Sequence, residues 1–256
     1  MPKRDRYDQG VPCWVDLTTS DLEGAKSFYN ALFGWDYEHH DTDSGPYALA
    51  SQKGEPATGI FPGQGDATSV WTTYIAVDDV DAIAEKVGEE GGRILMEPFD
   101  VEDRGRMAVA SDPTGAVFGI WEAGTHVGAR IVNEHGAFNW NELISDHMET
   151  ALDFYRALFG YETQVSETPG GRDYHTFQVG GRGIAGALEP PGPDVPNHWG
   201  VYFAVDDVAR AETTARENGG SVVYGPIESP EVGTFLGIAD PYGAQLTLIQ
   251  LAAPVD

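Results

Sequence analysis

The chain has 256 residues, 41% hydrophobic and 22% charged, a globular composition with length for two ordinary domains, each large enough for its own core. Its 41 acidic residues against 15 basic ones leave a formal charge of −26, which repels phosphate backbones and anionic bilayers and so excludes nucleic acid and membrane surfaces as expected partners. The single cysteine, Cys13, rules out an intramolecular disulfide and a cysteine zinc cluster, and beside Trp14 at a strand start it reads as a small buried hydrophobe.

Residues 10–19 read as a strand. Ser20, with Glu23 three residues on, reads as a capping box for a helix whose apolar stripe is Leu22, Ala25, Phe28, Tyr29, Leu32 and Phe33, stopped by Gly34. Short strands follow at 47–50 and 58–61, then a loop at Gly63-Gln64-Gly65. Residues 71–77 form another strand, after which Asp78 or Asp79 caps a helix to about Glu90, ended by Gly91-Gly92. Residues 94–96 are a strand, and 107–110 with 116–121 form a hairpin around Asp112-Pro113-Thr114-Gly115, where Pro fixes φ and Gly supplies a positive one. The partly apolar connection 124–136 is expected to pack. The same order then returns: Asp146 and Glu149 at a helix start, Met148, Ala151, Phe154, Tyr155, Leu158 and Phe159 as its stripe, Gly160 as its stop, and closing strands at 235–238 and 244–251.

The return is a duplication. Trp14-Val15-Asp16-Leu17 through Phe28-Tyr29 to Gly34 recurs 126 positions on as Trp140-Asn141-Glu142-Leu143 through Phe154-Tyr155 to Gly160. Tyr74, Val77-Asp78-Asp79-Val80, Gly91-Gly92 and Asp112-Pro113 recur 128 positions on as Tyr202, Val205-Asp206-Asp207-Val208, Gly219-Gly220 and Asp240-Pro241. The prediction is an α+β fold with two tandem domains, 1–124 and 125–256, each made of two βαβββ units. Helices on one face of each sheet leave the other face free to curl around a cavity, a natural small-ligand site.

The Phe-Tyr-x-x-Leu-Phe-Gly helix end, the Val-Asp-Asp-Val helix start and the Asp-Pro-x-Gly-Ala hairpin resemble the vicinal oxygen chelate superfamily, which contains glyoxalase I, extradiol dioxygenases, methylmalonyl-CoA epimerase and bleomycin-resistance proteins. The resemblance covers about 10–124 and 136–251, and the tandem layout is most similar to a two-domain actinobacterial glyoxalase-like group. In metal-dependent members it implies His, Gln or Glu ligands on the first and last strands of the units. The matching positions here are Trp14, Trp140, Thr72, Gly200, Gly119 and Thr247, none a good ligand, and near 58–61 and 184–188 only Glu189 comes close. No metal and no cofactor are therefore expected. His39 and His40 read as solvated on opposite sides of a strand; His126, His135 and His147 fall in the connection and at a helix start. His175 and His198 could line the second cavity, but read first as hydrogen-bonded structural groups.

Strand alternation puts Asp16 on the face of Trp14, and Glu142 on that of Trp140. A carboxylate against an aromatic wall has a raised pKa and suits acid–base work. Tyr74 and Tyr202 share the face of Thr72 and Gly200, Trp121 points inward against Ile249 in the copy, and Arg106 stands where the copy has Thr234. Glu142, Asp16, Tyr202 and Tyr74 are thus the catalytic candidates. Trp14, Trp140, Trp121, Thr72, Gly200, Thr247 and Arg106 are the ligand-binding ones. Three functions are carried forward: a metal-independent binder of a planar aromatic molecule; a metal-independent isomerase, lyase or hydroxylase-type enzyme of secondary metabolism; and a metal-dependent glyoxalase or dioxygenase. The expected setting is cytoplasmic, as a monomer or homodimer. The second half, with the longer carboxylate and smaller neighbours, is expected to carry the main site.

Overall fold

The computed structural model describes residues 3–42, 45–64, 68–168 and 170–253. The first half runs β1 Pro12–Thr19, α1 Leu22–Phe33, β2 Asp36–Thr42, β3 Gly45–Gln52, β4 Glu55–Pro62, β5 Val70–Val77, α2 Val80–Glu89, β6 Arg93–Val101, β7 Gly105–Ser111 and β8 Val117–Ala123. The second runs β9 Phe138–Ile144, α3 Met148–Phe159, β10 Glu162–Glu167, β11 Asp173–Val179, β12 Arg182–Leu188, β13 His198–Ala204, α4 Val208–Glu217, β14 Ser221–Ser229, β15 Gly233–Ala239 and β16 Gln245–Leu251. Each half is an eight-stranded sheet of matching order, β2-β3-β4-β1-β5-β8-β7-β6 and β10-β11-β12-β9-β13-β16-β15-β14. The two βαβββ units of a half meet where β1 pairs antiparallel with β5, and β9 with β13. Among the described residues, no helix is long and apolar enough to cross a membrane.

Helix stops match the expectation: Gly34 and Gly160 close α1 and α3 at φ 73° and 71°. Helix starts do not. Asp21, in extended conformation, caps α1 by accepting from the Gly24 amide, so Ser20 lies outside the helix. At α3 the cap position is His147, which makes no side-chain cap, because the Asp146 carboxylate is drawn to the His147 ring and the Asn197 amide. Strands β2 and β10 escaped the hydrophobic pattern since they are polar edge strands. Gly65 of the expected loop lies outside the described residues.

Each half has length enough for a core of its own, but the apolar packing is shared between the halves. Among the described residues, the two larger apolar clusters both draw on both halves. One joins Phe28, Tyr29, Leu32 and Phe33 of α1 to Phe203, Leu236 and Leu248; the other joins Ile83 and Val87 of α2 to Phe154, Tyr155 and Leu158 of α3. Each fully buried side chain of this size contributes about 1.5–3 kcal/mol. The repeated motifs explain the exchange. Tyr29 donates to Asp240 of the opposite hairpin at 3.0 Å, and Tyr155 donates to Asp112 at 3.2 Å. Trp71 and Trp199 donate in turn to those two tyrosine hydroxyls. The neighbouring Phe28 and Phe154 fill the space over Gly220 and Gly92, where a Cβ would sit 2.9 Å from each ring. Asn141 also donates to Thr73 at 2.8 Å. Both point away from Trp140 and Glu142, and from Thr72 and Tyr74, so the concave faces look outward from the shared core.

Candidate functional site

In the first half, pairing lines up two rows across the middle of the concave face: Trp14, Tyr74 and Gly119, then Gly59, Asp16 and Thr72. The glycines are needed as floor. A Cβ on Gly59 would fall 1.7 Å from the Tyr47 hydroxyl, and one on Gly119 would fall 2.1 Å from the Tyr74 ring. Trp14 Nε1 donates to the Tyr47 hydroxyl at 3.2 Å. The Asp16 carboxyl is 5% exposed and its Oδ1 has no hydrogen-bond partner. Burial pushes its pKa up to about 8, while a hydrogen bond with Tyr74 works the other way. The face is closed by the connection between halves. His126 stands edge-on to Trp14, centroids 4.5 Å apart, and 5.7 Å from Trp121. Burial, aided by the Arg104 charge, pushes the imidazole down to about 4.

The second half repeats the rows as Trp140, Tyr202 and Thr247, then Gly186, Glu142 and Gly200. Trp140 Nε1 donates to the Tyr174 hydroxyl at 2.9 Å, and Tyr202 donates to Glu142 Oε1 at 2.8 Å. Burial raises the Glu142 pKa above the ordinary carboxylate range, against the hydrogen bonds of Tyr202 and Tyr174 and the charge of Arg172. Thr247 replaces Gly119 and shares a hydrogen bond with the Tyr224 hydroxyl at 2.5 Å. Trp140 and Tyr202 are partly exposed where their counterparts Trp14 and Tyr74 are buried, so this face is the more open of the two. Gly200 adds to the room, for a Cβ there would meet nothing closer than 3.6 Å.

The structure thus brings Trp14, Asp16, Thr72, Tyr74 and Trp121 together, and likewise Trp140, Glu142, Gly200, Tyr202 and Thr247. It does not bring Arg106 to them. Arg106 pairs with Glu122 on the opposite face and is tied to Asp81 and Asp100 at 2.8 Å, because one residue along a strand reverses the side. His40 is not simply solvated: it pairs with Tyr47 across β2 and β3 and lies 3.1 Å from Arg104. His198 shares the Glu142 face with its Nδ1 held to the Pro196 carbonyl, whereas His175 alternates away from Tyr174 into a groove with His147 and Glu149. Sequence reasoning missed Tyr47, Tyr174, Tyr224 and His126. The first two carried a signal, since they recur 127 positions apart within the duplication.

Paired βαβββ units with a concave face over each central strand pair define a glyoxalase-type scaffold. The family model described as Glyoxalase/Bleomycin resistance protein/Dioxygenase superfamily matches residues 13–120 and 137–248, and the chain belongs to this superfamily. It is 44% identical to the "Putative glyoxylase CFP32" of Mycobacterium tuberculosis, over 98% of this chain and 99% of that one. It is 34% identical to the "Anthracycline biosynthesis protein DnrV" of Streptomyces peucetius, over 96% and 95%. Among solved structures, the Mn(II)-bound glyoxalase of Novosphingobium aromaticivorans superposes with a TM-score of 0.64 at 18% identity, covering 97% of this chain and 87% of that one. The 2,3-dioxygenase LapB of Pseudomonas sp. KL28 gives 0.66 at 16% identity, covering 97% and 95%. Those two likenesses concern the fold. A metal such as the manganese of that glyoxalase does not fit the donor set here. Among the described residues, no three His, Cys, Asp or Glu side chains converge, and the central rows offer indole, hydroxyl and glycine around one carboxyl.

Proposed function

We propose that the second half binds a planar aromatic small molecule without a metal, acting in the cytoplasm as a monomer or homodimer. The observation that carries this reading is the open face at Trp140, where an indole wall adjoins a hydroxyl-lined carboxyl, Glu142 with Tyr202 and Tyr174. The partly exposed Phe235 faces the same space from the neighbouring strand, edge-on to Tyr202, giving a flat ligand a second wall. The formal charge of −26 favours neutral or cationic ligands over anions. The anthracycline-biosynthesis name of one relative supports a polycyclic aromatic ligand. The test is calorimetric titration of neutral polycyclic aromatics into wild type and Glu142→Gln. Tight binding to wild type, kept within about threefold in the variant, is expected; no binding by any such compound overturns the reading.

A second reading has its own observation. Glu142 is buried with a raised pKa, hydrogen-bonded to the Tyr202 phenol with the Tyr174 phenol close by, an arrangement suited to moving a proton on a bound ring. Under that reading the protein is a metal-independent isomerase or lyase with Glu142 as base or acid and Tyr202 orienting it. Glu142→Gln would then lower turnover by roughly a hundredfold or more while sparing affinity. Equal turnover in both proteins returns Glu142 to a binding role.

A further inference from the structure

The duplication supplies a comparison inside one molecule. In the first half the space over Trp14 is filled by the chain's own His126 ring, edge-on to one indole and close to a second. The placement is fixed at three points. Trp121 Nε1 donates to the His126 carbonyl at 3.0 Å, and the Ala129 amide donates to the Cys13 carbonyl at 2.9 Å. Between them Gly128, at φ 109°, passes so close to β1 that a Cβ would lie 2.4 Å from the Cys13 carbonyl oxygen. The Trp14 indole that this ring packs against donates to Tyr47, and that bond is reproduced by Trp140 and Tyr174 in the second half. There Trp140 is partly exposed and stacks with no ring among the described residues, while Ile249 stands in place of Trp121.

We propose that the second-half face takes an uncharged, flat heteroaromatic ring edge-on to Trp140, in the position that His126 holds against Trp14. This inference rests on the proposed function and narrows its ligand to one with such a ring at the buried end. His126 is an intramolecular stand-in for that ring, so the first face is the same site with its occupant built in. The neutrality follows from the surroundings: the resident imidazole is kept uncharged by burial, and the Glu142 carboxyl opposite is pushed towards its neutral form for the same reason. An anionic ring would have to shed its hydration at this buried end, inside a strongly acidic protein.

The test uses small probes at mildly alkaline pH, where imidazoles are neutral. Benzimidazole and benzoate, similar in size but different in charge, are titrated by calorimetry into wild type, Trp140→Leu and His126→Gly. Wild type should bind one equivalent of benzimidazole and bind benzoate at least roughly tenfold more weakly. Trp140→Leu should lose roughly tenfold or more in affinity. His126→Gly should bind a second equivalent in the vacated space, and 4-methylimidazole should raise its melting temperature more than that of wild type. His126→Ala, with circular dichroism as the check of folding, repeats this arm should the glycine variant not fold. Benzimidazole binding that survives Trp140→Leu, equal binding of benzoate, or no second equivalent in either folded His126 variant overturns the inference. Small rings failing on wild type while larger planar aromatics bind through Trp140 also overturns it, and leaves the proposed function standing. Loss of every aromatic ligand from wild type removes both.

Discussion

Trp14 and Tyr74 are each 5% exposed in the first half, locked under His126, whereas their counterparts Trp140 and Tyr202 in the second stand partly open beside the buried Glu142. The strand order, the register of the central rows and the indole-to-phenol hydrogen bond are the same in both. The faces therefore differ in their side chains at matched positions, Asp16 against Glu142 among them, and in one connection. Thr72 becomes Gly200, Gly119 becomes Thr247, Trp121 becomes Ile249, and a histidine from the connection fills only the first. A duplicated scaffold keeps its backbone and can close one cavity with its own side chains, which stabilises the fold there and frees the other for a ligand.

The largest test of that contrast is truncation of the paired indoles. Trp14→Ala should cost about 3–5 kcal/mol in urea unfolding, since it empties a closed, packed space. Trp140→Ala should cost less than about 2 kcal/mol because its ring is already partly solvated, yet it should lose ligand. Equal costs would mean that both faces are equally packed. Next is the pH dependence of the buried acid. Asp16 is pushed from the ordinary range up to about 8, so the folded state holds a proton that the unfolded chain releases. The stability this group contributes is complete below its unfolded pKa of about 4 and is lost as pH rises through its folded value, at up to about 1.4 kcal/mol per pH unit. Asp16→Asn should therefore gain on wild type steadily as urea unfolding is moved from mildly acid to mildly alkaline pH; a constant difference would show an Asp16 with no such shift.

Gly200→Thr gives the second face the residue of the first. The backbone has room for the added Cβ, so stability should move by no more than about 1 kcal/mol while aromatic affinity falls roughly tenfold. Unchanged affinity would place the ligand away from Gly200. The smallest effect is expected from Tyr202→Phe, which removes the donor 2.8 Å from Glu142. Losing that bond should move the Glu142 titration further upward, read by carbon-13 NMR of the labelled side chain, at a stability cost of about 1 kcal/mol. A downward movement would show that Tyr202 does not stabilise the charged carboxylate.

Much of this was legible in the chain. The duplication, the α+β order, the αL glycines at 34 and 160, and the inward side of Trp14, Asp16, Trp140 and Glu142 follow from periodicity and alternation, because a strand's sidedness is a local property. Arg106 obeys the same rule, which its expected binding role overlooked: it precedes Met107, which pairs with Trp121 on the concave face, and so falls on the other side among Asp81 and Asp100. Polar edge strands such as Asp36–Thr42 carry no hydrophobic signal and were invisible for that reason.

What the sequence by itself determined is the scaffold, written twice, and which side chains each strand offers to its concave face. What only the tertiary structure decided is which contacts those side chains make with residues far along the chain. The Phe-Tyr pairs read as part of a helical apolar stripe with no partner specified, and the fold takes Tyr29 to Asp240 and Tyr155 to Asp112, so the halves share their cores. His126 looked like part of a connection, yet three contacts to β1 and β8 set its ring over Trp14. Local pattern fixes the direction of a side chain; whether the space ahead of it is empty depends on segments brought there by the whole fold, and that occupancy separates a closed face from an open one.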